Sequence, residues 1–474
     1  MSTSIEKTTL EEHAARPECH VAVDPDQDDR ATEMPLQSFA RCHMRAFHCA
    51  WFGLFISVVV WRGFFQVLGN TASQNGISES QEFYSFIVAL IVRALAAFLL
   101  GPLCDIFGAR RLMVVVLLSS VSVALIGATL KVTNNVVGFY IVQSLVGISG
   151  ATTVMSQFWT SNMFAKEIAG TTNSFVAGFG RLGDQAATYA ASLPVGLSVA
   201  VVACSWGALL TKISDESPRG ELSERSKIGD AAKVSTRERF LSEIQNTNMW
   251  ILFVQYACCA GAKHVHYYYL QLGLGEEEYG KLVSAFSFND MLVRIIVIQL
   301  GGYISDNCSS NFGMRGRLIW QSICLGTAGF FVIIAAHSQD PFYLLVNVSL
   351  MSVFIWAAMG STYGIVPYAN TFSSGTFIGI VCAGEFIGSL CFEMGFRNMP
   401  LVSAFNLTGG CLMGSAVLSA LVRVNGHLGL FPGQDCQETK NNYTGELEIT
   451  CVGVAFLKNA AADEESSTSY RNLS

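Results

Sequence analysis

Two arginines fall where a bilayer would ordinarily exclude them. Arg93 sits inside "SFIVALIVRALAAFLLGPLCDIFGARR" (85–111), and Arg294 sits in the apolar run before "GGYISDNCSSNFGMRGR" (301–317). Each lies twelve residues before an aspartate in a Gly- and Arg-rich turn, Asp105 in one case and Asp306 in the other. At about 1.5 Å of rise per helical residue, each arginine stands about 18 Å from its turn, near the midplane of a hydrocarbon core about 30 Å thick. A charge at that depth costs on the order of 3 kcal/mol and therefore faces a cavity or a partner. The guanidinium is permanently charged and presents a planar fork of donors, which suits a small planar oxyanion. The competing reading is neutralisation inside each helix bundle. Asp290, four residues before Arg294, would serve there, whereas no acid lies within the helix core around Arg93.

Such a pair needs a membrane scaffold to hold it, and the composition supplies one. The 474 residues are 51% hydrophobic and 14% charged, with mean hydropathy +0.41. Apolar runs near 47–67, 83–104, 111–131, 136–157, 168–190, 192–211, 249–270, 281–304, 317–337, 342–366, 375–396 and 402–422 are long enough to span. The expected fold is an all-α membrane protein with twelve transmembrane helices in two pseudo-symmetric six-helix bundles, at 47–211 and 249–422. A cytoplasmic N-terminal tail (1–46), a polar cytoplasmic linker (212–248) and a cytoplasmic C-terminal tail (423–474) complete the chain. The N-terminal 46 residues carry acidic clusters and show no charged segment followed by an apolar one, so no signal peptide is expected.

Orientation follows from lysine and arginine. Arg41, Arg45, Arg110, Arg111, Lys166, the linker cluster, Arg315, Arg317 and Arg423 share one side, and the opposite short loops are acidic, as in "GEEEYG" (275–280). The positive side is cytoplasmic, so both termini lie in the cytoplasm. The fourteen cysteines fall mostly in spans or cytoplasmic segments and read as small buried hydrophobes without disulfides. His264 and His266, two apart, point about 200° away from one another on a helix, so no metal site is expected. No nucleophile–base set, phosphate loop or soluble nucleic-acid patch is present. The expectation is a protein that is not an enzyme, has no cofactor and binds no nucleic acid.

The two turns are an internal repeat: Gly, then Asp, then Gly and basic residues, once in each half. With "HMRAFHCAWFGLF" (43–55), "GISGATTVMSQFWTSNMF" (147–164), "SDESPRGELSER" (214–225), "QYACCAG" (255–261) and "GSTYGIVPYAN" (360–370), the chain resembles the nitrate/nitrite porters of the major facilitator superfamily, in particular their eukaryotic high-affinity nitrate transporter branch. The resemblance covers nearly all of the membrane domain and neither tail. It implies the major facilitator fold, import of nitrate or nitrite, commonly coupled to protons, and an arginine from each half clamping the anion. It also implies a plasma-membrane location and a single-span accessory subunit, as in some relatives. The repeat gives Asp105, Arg110 and Asp306 a gating role.

Three departures stand beside that resemblance. The family places its clamp arginines about eight residues before the loop aspartates, positions held here by Ala97 and Ile298; Arg93 and Arg294 lie one turn, about 6 Å, further outward in both halves. The clamp therefore reads as moved outward as a unit. The glycine segments "AGFGRLGDQ" (177–185) and "GIVCAGEFIGS" (379–389) keep Gly178 and Gly384 where helices approach closely, yet carry Arg181, Asp184 and Glu385 where the family has Asn or Gly. Arg181 and Asp184 are spaced to neutralise each other, and Glu385 to pair with Lys263. Finally, the fifth and sixth spans follow almost without a loop.

The expected substrate site comprises Arg93, Arg294, Tyr267, Tyr363, Gly178 and Gly384, with Glu385 the candidate proton acceptor. Arg62, near the outer end of the first span, is expected to snorkel, with lining of an outer vestibule as the alternative. The leading expectation is a proton-coupled nitrate importer working by alternating access. A porter for another small anion and a non-transporting nutrient sensor are the alternatives that the altered glycine segments and the short turn leave open.

Overall fold

The computed structural model describes residues 21–72, 76–129, 135–192, 205–209, 211–220, 236–263, 276–338, 340–369, 374–424, 427, 429–430, 437–440 and 447–450. Long helices dominate: α1 (His43–Ala72), α2 (Glu79–Phe107), α3 (Ala109–Thr129), α4 (Val136–Gly147), α5 (Thr152–Met163) and α6 (Ala169–Ser192). A short helix α7 (Thr236–Ile244) precedes α8 (Thr247–Ala262), α9 (Glu276–Phe312), α10 (Met314–His337), α11 (Pro341–Ala369), α12 (Ser374–Asn398) and α13 (Leu401–Leu418). Among the described residues, seven helical stretches are long and apolar enough to cross a bilayer: those starting at His43, Glu79, Val136, Met314, Phe342, Ser374 and Leu401. α6 is too polar to count among them, because it carries Asn173, Arg181 and Asp184. The sixth expected span falls mostly outside the described residues, as do most of the linker and the C-terminal tail. Two small antiparallel hairpins, β1 (Val23–Asp24) with β2 (Arg30–Ala31) and β3 (Gln437–Lys440) with β4 (Leu447–Thr450), add short strands to the expected all-α fold.

Local chemistry explains where helices start and bend. α2 opens on a capping box in which the Gln81 backbone N–H donates to Ser78 Oγ and the Ser78 N–H donates to Gln81 Oε1; Glu79 and Glu82 complement the dipole in the first turn. Between α4 and α5 the chain tightens to a 3₁₀ turn over Ile148–Ala151. Ser57 of α1 donates to the Ser149 carbonyl there, which also accepts from the Thr152 N–H and hydroxyl, tying α1 to the turn.

α2 packs on α12, α6 on α9, α1 on α6 and α8 on α12. Glycines permit the closest of these crossings. A Cβ on Gly101 would lie 2.6 Å from the Gly375 carbonyl oxygen, and one on Gly379 would lie 2.7 Å from that of Ala97, so α2 and α12 meet backbone to backbone. The β1–β2 hairpin sits at the end of the bundle that carries the loop aspartates. The Ala165 N–H donates to the Ala31 carbonyl, Gln27 Nε2 donates to Glu167, and Arg219 pairs with Asp28 and Asp29.

Candidate anion site

The two repeated aspartates are placed alike. Asp105, at the end of α2, accepts from the Gly375 N–H (2.9 Å), the Thr376 N–H (2.8 Å) and the Thr376 hydroxyl (3.0 Å), at the first turn of α12. Asp306 of α9 accepts from the Gly170 N–H (3.0 Å), the Thr171 N–H (2.6 Å) and the Thr171 hydroxyl (2.6 Å), at the first turn of α6. Each carboxylate thereby satisfies orphan donors at a helix N-terminus in the other half of the chain, where the macrodipole also favours negative charge. Asp306 is additionally paired with Arg317, which is fully buried. Arg110 does something else: its Nη1 donates to the Ser214 and Lys212 carbonyls, holding the start of the linker.

Further along the same helices, Arg93 and Arg294 border one cavity of about 70 Å³. Arg93 is 2% exposed, and its Nε and Nη2 are buried without a hydrogen-bond partner. Its guanidinium stands 4.0 Å from the Trp61 ring centre and 4.7 Å from that of Phe65. Gly147, just before the 3₁₀ turn, and Gly150, within it, leave it room, since a Cβ at either would come within 3.2 Å of its side chain. Arg294 lies 5.2 Å from the Trp356 ring and 3.5 Å from Asp184. The side chain of Asp290, its expected local partner, lies outside the described residues.

The intruding charges of the glycine segments are on the same wall. Arg181 does not turn to Asp184 as its spacing suggests. It reaches across to Glu385, donating at 2.8 and 2.9 Å, while Asp184 reaches Arg294. Lys263 also pairs with Glu385, and Tyr256, whose hydroxyl is 2.6 Å from that of Tyr363, donates to Glu385 at 3.4 Å. Five basic side chains, Arg62, Arg93, Arg181, Lys263 and Arg294, thus share the cavity with two acidic ones, Asp184 and Glu385, among the described residues. Arg62 lines the cavity, the alternative to snorkelling, with its guanidinium 5.7 Å from the Trp61 ring centre.

Not every expected residue is at the cavity. Tyr363 is 4% exposed and stands behind Glu385 through Tyr256. Gly178 faces Gln299 and Ile295 of α9, and Gly384 faces Phe253 of α8, so both serve helix contacts. Tyr267 lies outside the described residues. The family's usual clamp positions are filled: Ala97 and Ile298 are fully buried, and the Ala97 carbonyl lies against Gly379. Trp61 and Trp356 escaped the sequence reading. Only their occurrence as tryptophans deep in apolar runs hinted at them, since a ring over a cation has no sequence spacing.

The profile of the Major Facilitator Superfamily matches residues 50–392. The chain belongs to that superfamily. It is 27% identical over 399 residues to the high affinity nitrate transporter 2.5 of Arabidopsis thaliana, covering 79% of this chain and 78% of that one. It is 28% identical to the high-affinity nitrate transporter 2.3 of Oryza sativa subsp. japonica, over 77% of this chain and 74% of the relative. A nitrate transporter 2.2 of Chlamydomonas reinhardtii is 25% identical over 77% and 75% of the two chains. These relatives agree with the motif resemblance to the nitrate porter branch. Among solved structures, the proton:xylose symporter XylE superposes with TM-score 0.60 at 14% identity, covering 79% of this chain and 94% of that one. The fucose:proton symporter FucP of E. coli superposes with TM-score 0.59 at 12% identity, covering 80% and 99%. The major facilitator superfamily member described here is a multi-pass membrane protein with a transporter fold, not an enzyme.

Proposed function

We propose that the protein imports nitrate, with nitrite as a second substrate, by alternating access of two six-helix bundles around the arginine cavity. One observation carries the reading: Arg93 holds two buried, unpartnered donor nitrogens at the edge of a cavity where basic side chains outnumber acidic ones. An unpaired buried charge is costly, and an anion removes that cost. The cavity, about 70 Å³, is well above the roughly 10–15 Å³ needed to hold one water, so a small oxyanion is of a size to enter it. That the relatives are named nitrate transporters supports the choice of anion.

In this reading Arg93 and Arg294 bind the anion from opposite halves, and Asp105 and Asp306 gate the cytoplasmic end. Arg110 ties that gate to the linker. Gly178, Gly384 and Tyr363 hold the framework behind the site, Tyr267 extends its wall, and Glu385 exchanges the coupling proton. Twelve membrane helices place both termini in the cytoplasm, with the plasma membrane as the site of uptake and a single-span subunit as an accessory partner. The test is uptake of isotopically labelled nitrate into proteoliposomes carrying wild type, Arg93→Ala or Arg294→Ala, with nitrite, chlorate and chloride as competitors. Uptake abolished by each substitution and blocked by nitrite or chlorate but not chloride is the expected result. Folded wild type that carries no nitrate across the membrane refutes the reading.

A further inference from the structure

The two carboxylates on the cavity wall are held in different ways. Glu385 is gripped by two cations, with Arg181 donating at 2.8 and 2.9 Å and Lys263 on the other side, and its side chain is 4% exposed. Asp184 is held loosely. Its Oδ2 lies 3.5 Å from Arg294 Nη1, and the two side chains are 15% and 21% exposed. A charge-assisted hydrogen bond of full strength is about 2.7–2.9 Å long, so this pair has room to separate. A carboxylate offers a guanidinium two oxygens in one plane, and so does one edge of a small planar oxyanion.

We propose that Asp184 is an intramolecular stand-in for the transported anion, competing with it for Arg294. Asp184 occupies the guanidinium when no anion is bound and yields it when one arrives. The inference rests on the anion-site reading above and assigns a role to a residue that reading leaves unused. Asp184 lies on α6 in one half and Arg294 on α9 in the other, so the exchange has a mechanical consequence. Anion entry swaps a direct link between the halves for one bridged by the substrate. With no anion, the Asp184–Arg294 pair keeps the basic cluster partly neutral, which lets the unloaded halves swing past one another. Glu385 does not take part, because releasing it would strand both Arg181 and Lys263.

The deciding experiment uses the full-length protein and its Asp184→Asn variant, with nitrate as the probe. Binding is read by titration in detergent, and transport in proteoliposomes as both net uptake and nitrate/nitrate exchange. Removing the competitor lowers the nitrate Kd about fivefold, the effect of losing a partly exposed ion pair. Exchange persists while net uptake falls, because the unloaded carrier must now return with one more net positive charge in the cavity. Asp184→Ser, which keeps a small polar side chain, shows the same split. Wild-type binding with an unchanged or raised Kd in both Asp184 variants overturns this inference and leaves the anion site standing, as does a parallel loss of exchange and net uptake. Folded wild type that binds no nitrate removes the anion site and this inference together.

Discussion

Arg93 shows how a charge is kept inside a bundle of apolar helices before any substrate is considered. Its guanidinium lies against Trp61 and Phe65, and Gly147 and Gly150 give it space, so part of its burial cost is offset by cation–π attraction. Two of its nitrogens are still buried without hydrogen-bond partners. Lysine could neither lie flat on the rings nor present a fork, so Arg93→Lys is expected to weaken nitrate binding by about 10- to 100-fold while leaving the fold intact. Titration with nitrate beside a circular dichroism melt checks both halves of that statement. Trp61→Ala removes the ring alone and is expected to cost about fivefold in the same titration. Glu385→Gln belongs to a different class. It leaves Arg181 and Lys263 buried without their shared counter-charge, and a loss of about 3–5 kcal/mol in stability should appear as a lowered Tm in detergent. That both arginines border one cavity was legible, because an equal twelve-residue spacing from the two turns sets them at equal height along their helices. The ion pairs were not. Arg181 and Asp184 look self-neutralising at their three-residue spacing, but their side chains point to two different helices of the other half, and no local rule ranks those partners.

At the scale of elements, each loop aspartate serves as an N-terminal cap for a helix far away in the chain. Asp105 caps α12 across 270 residues, and Asp306 caps α6 across 136. The repeat announced that both turns share a task, but the capped helix is set by tertiary packing at separations that pattern reading does not reach. The crossing of α2 with α12 depends on Gly101, Gly375 and Gly379, where any Cβ meets backbone. Gly379→Val would drive the two helices apart and open this end of the molecule. Cys104 and Cys382 report on that seam, being fully buried and 4% exposed respectively. We expect Gly379→Val, and to a smaller degree Asp105→Asn, to raise the alkylation rate of both thiols at least severalfold, measured by mass spectrometry of the individual cysteine peptides. Unchanged protection in Gly379→Val would mean that the seam does not depend on glycine.

At the scale of the whole molecule, the periodic apolar runs and the repeated turn made the helical architecture readable, because bilayer thickness leaves few ways to satisfy a backbone. The N-terminal tail was read only as polar chain. Its hairpin is built from contacts to the Phe164–Glu167 segment and to Arg219 that no tail sequence displays by itself. That segment is also where the halves meet at the aspartate end: the Lys166 and Glu167 carbonyls accept from Arg317, and Arg317 and Lys166 both stand over the Tyr368 ring, which packs edge-on against His427. Burial, together with the nearby Lys166 and Arg317 charges, holds the His427 pKa below its ordinary 6.5. The folded state therefore favours the neutral imidazole. Above about pH 6.5 this group's contribution to stability is fully present, and it falls as the pH drops from there toward the lowered folded value, since the unfolded chain then binds the proton more readily. Protonation would put a third positive charge at a junction that already holds two, so acid should loosen this end of the molecule. The wild-type Tm is expected to drop more steeply than that of His427→Gln between pH 7.5 and 5.5, with the two curves converging at the alkaline end. Parallel curves across that window would assign the acid sensitivity to other groups.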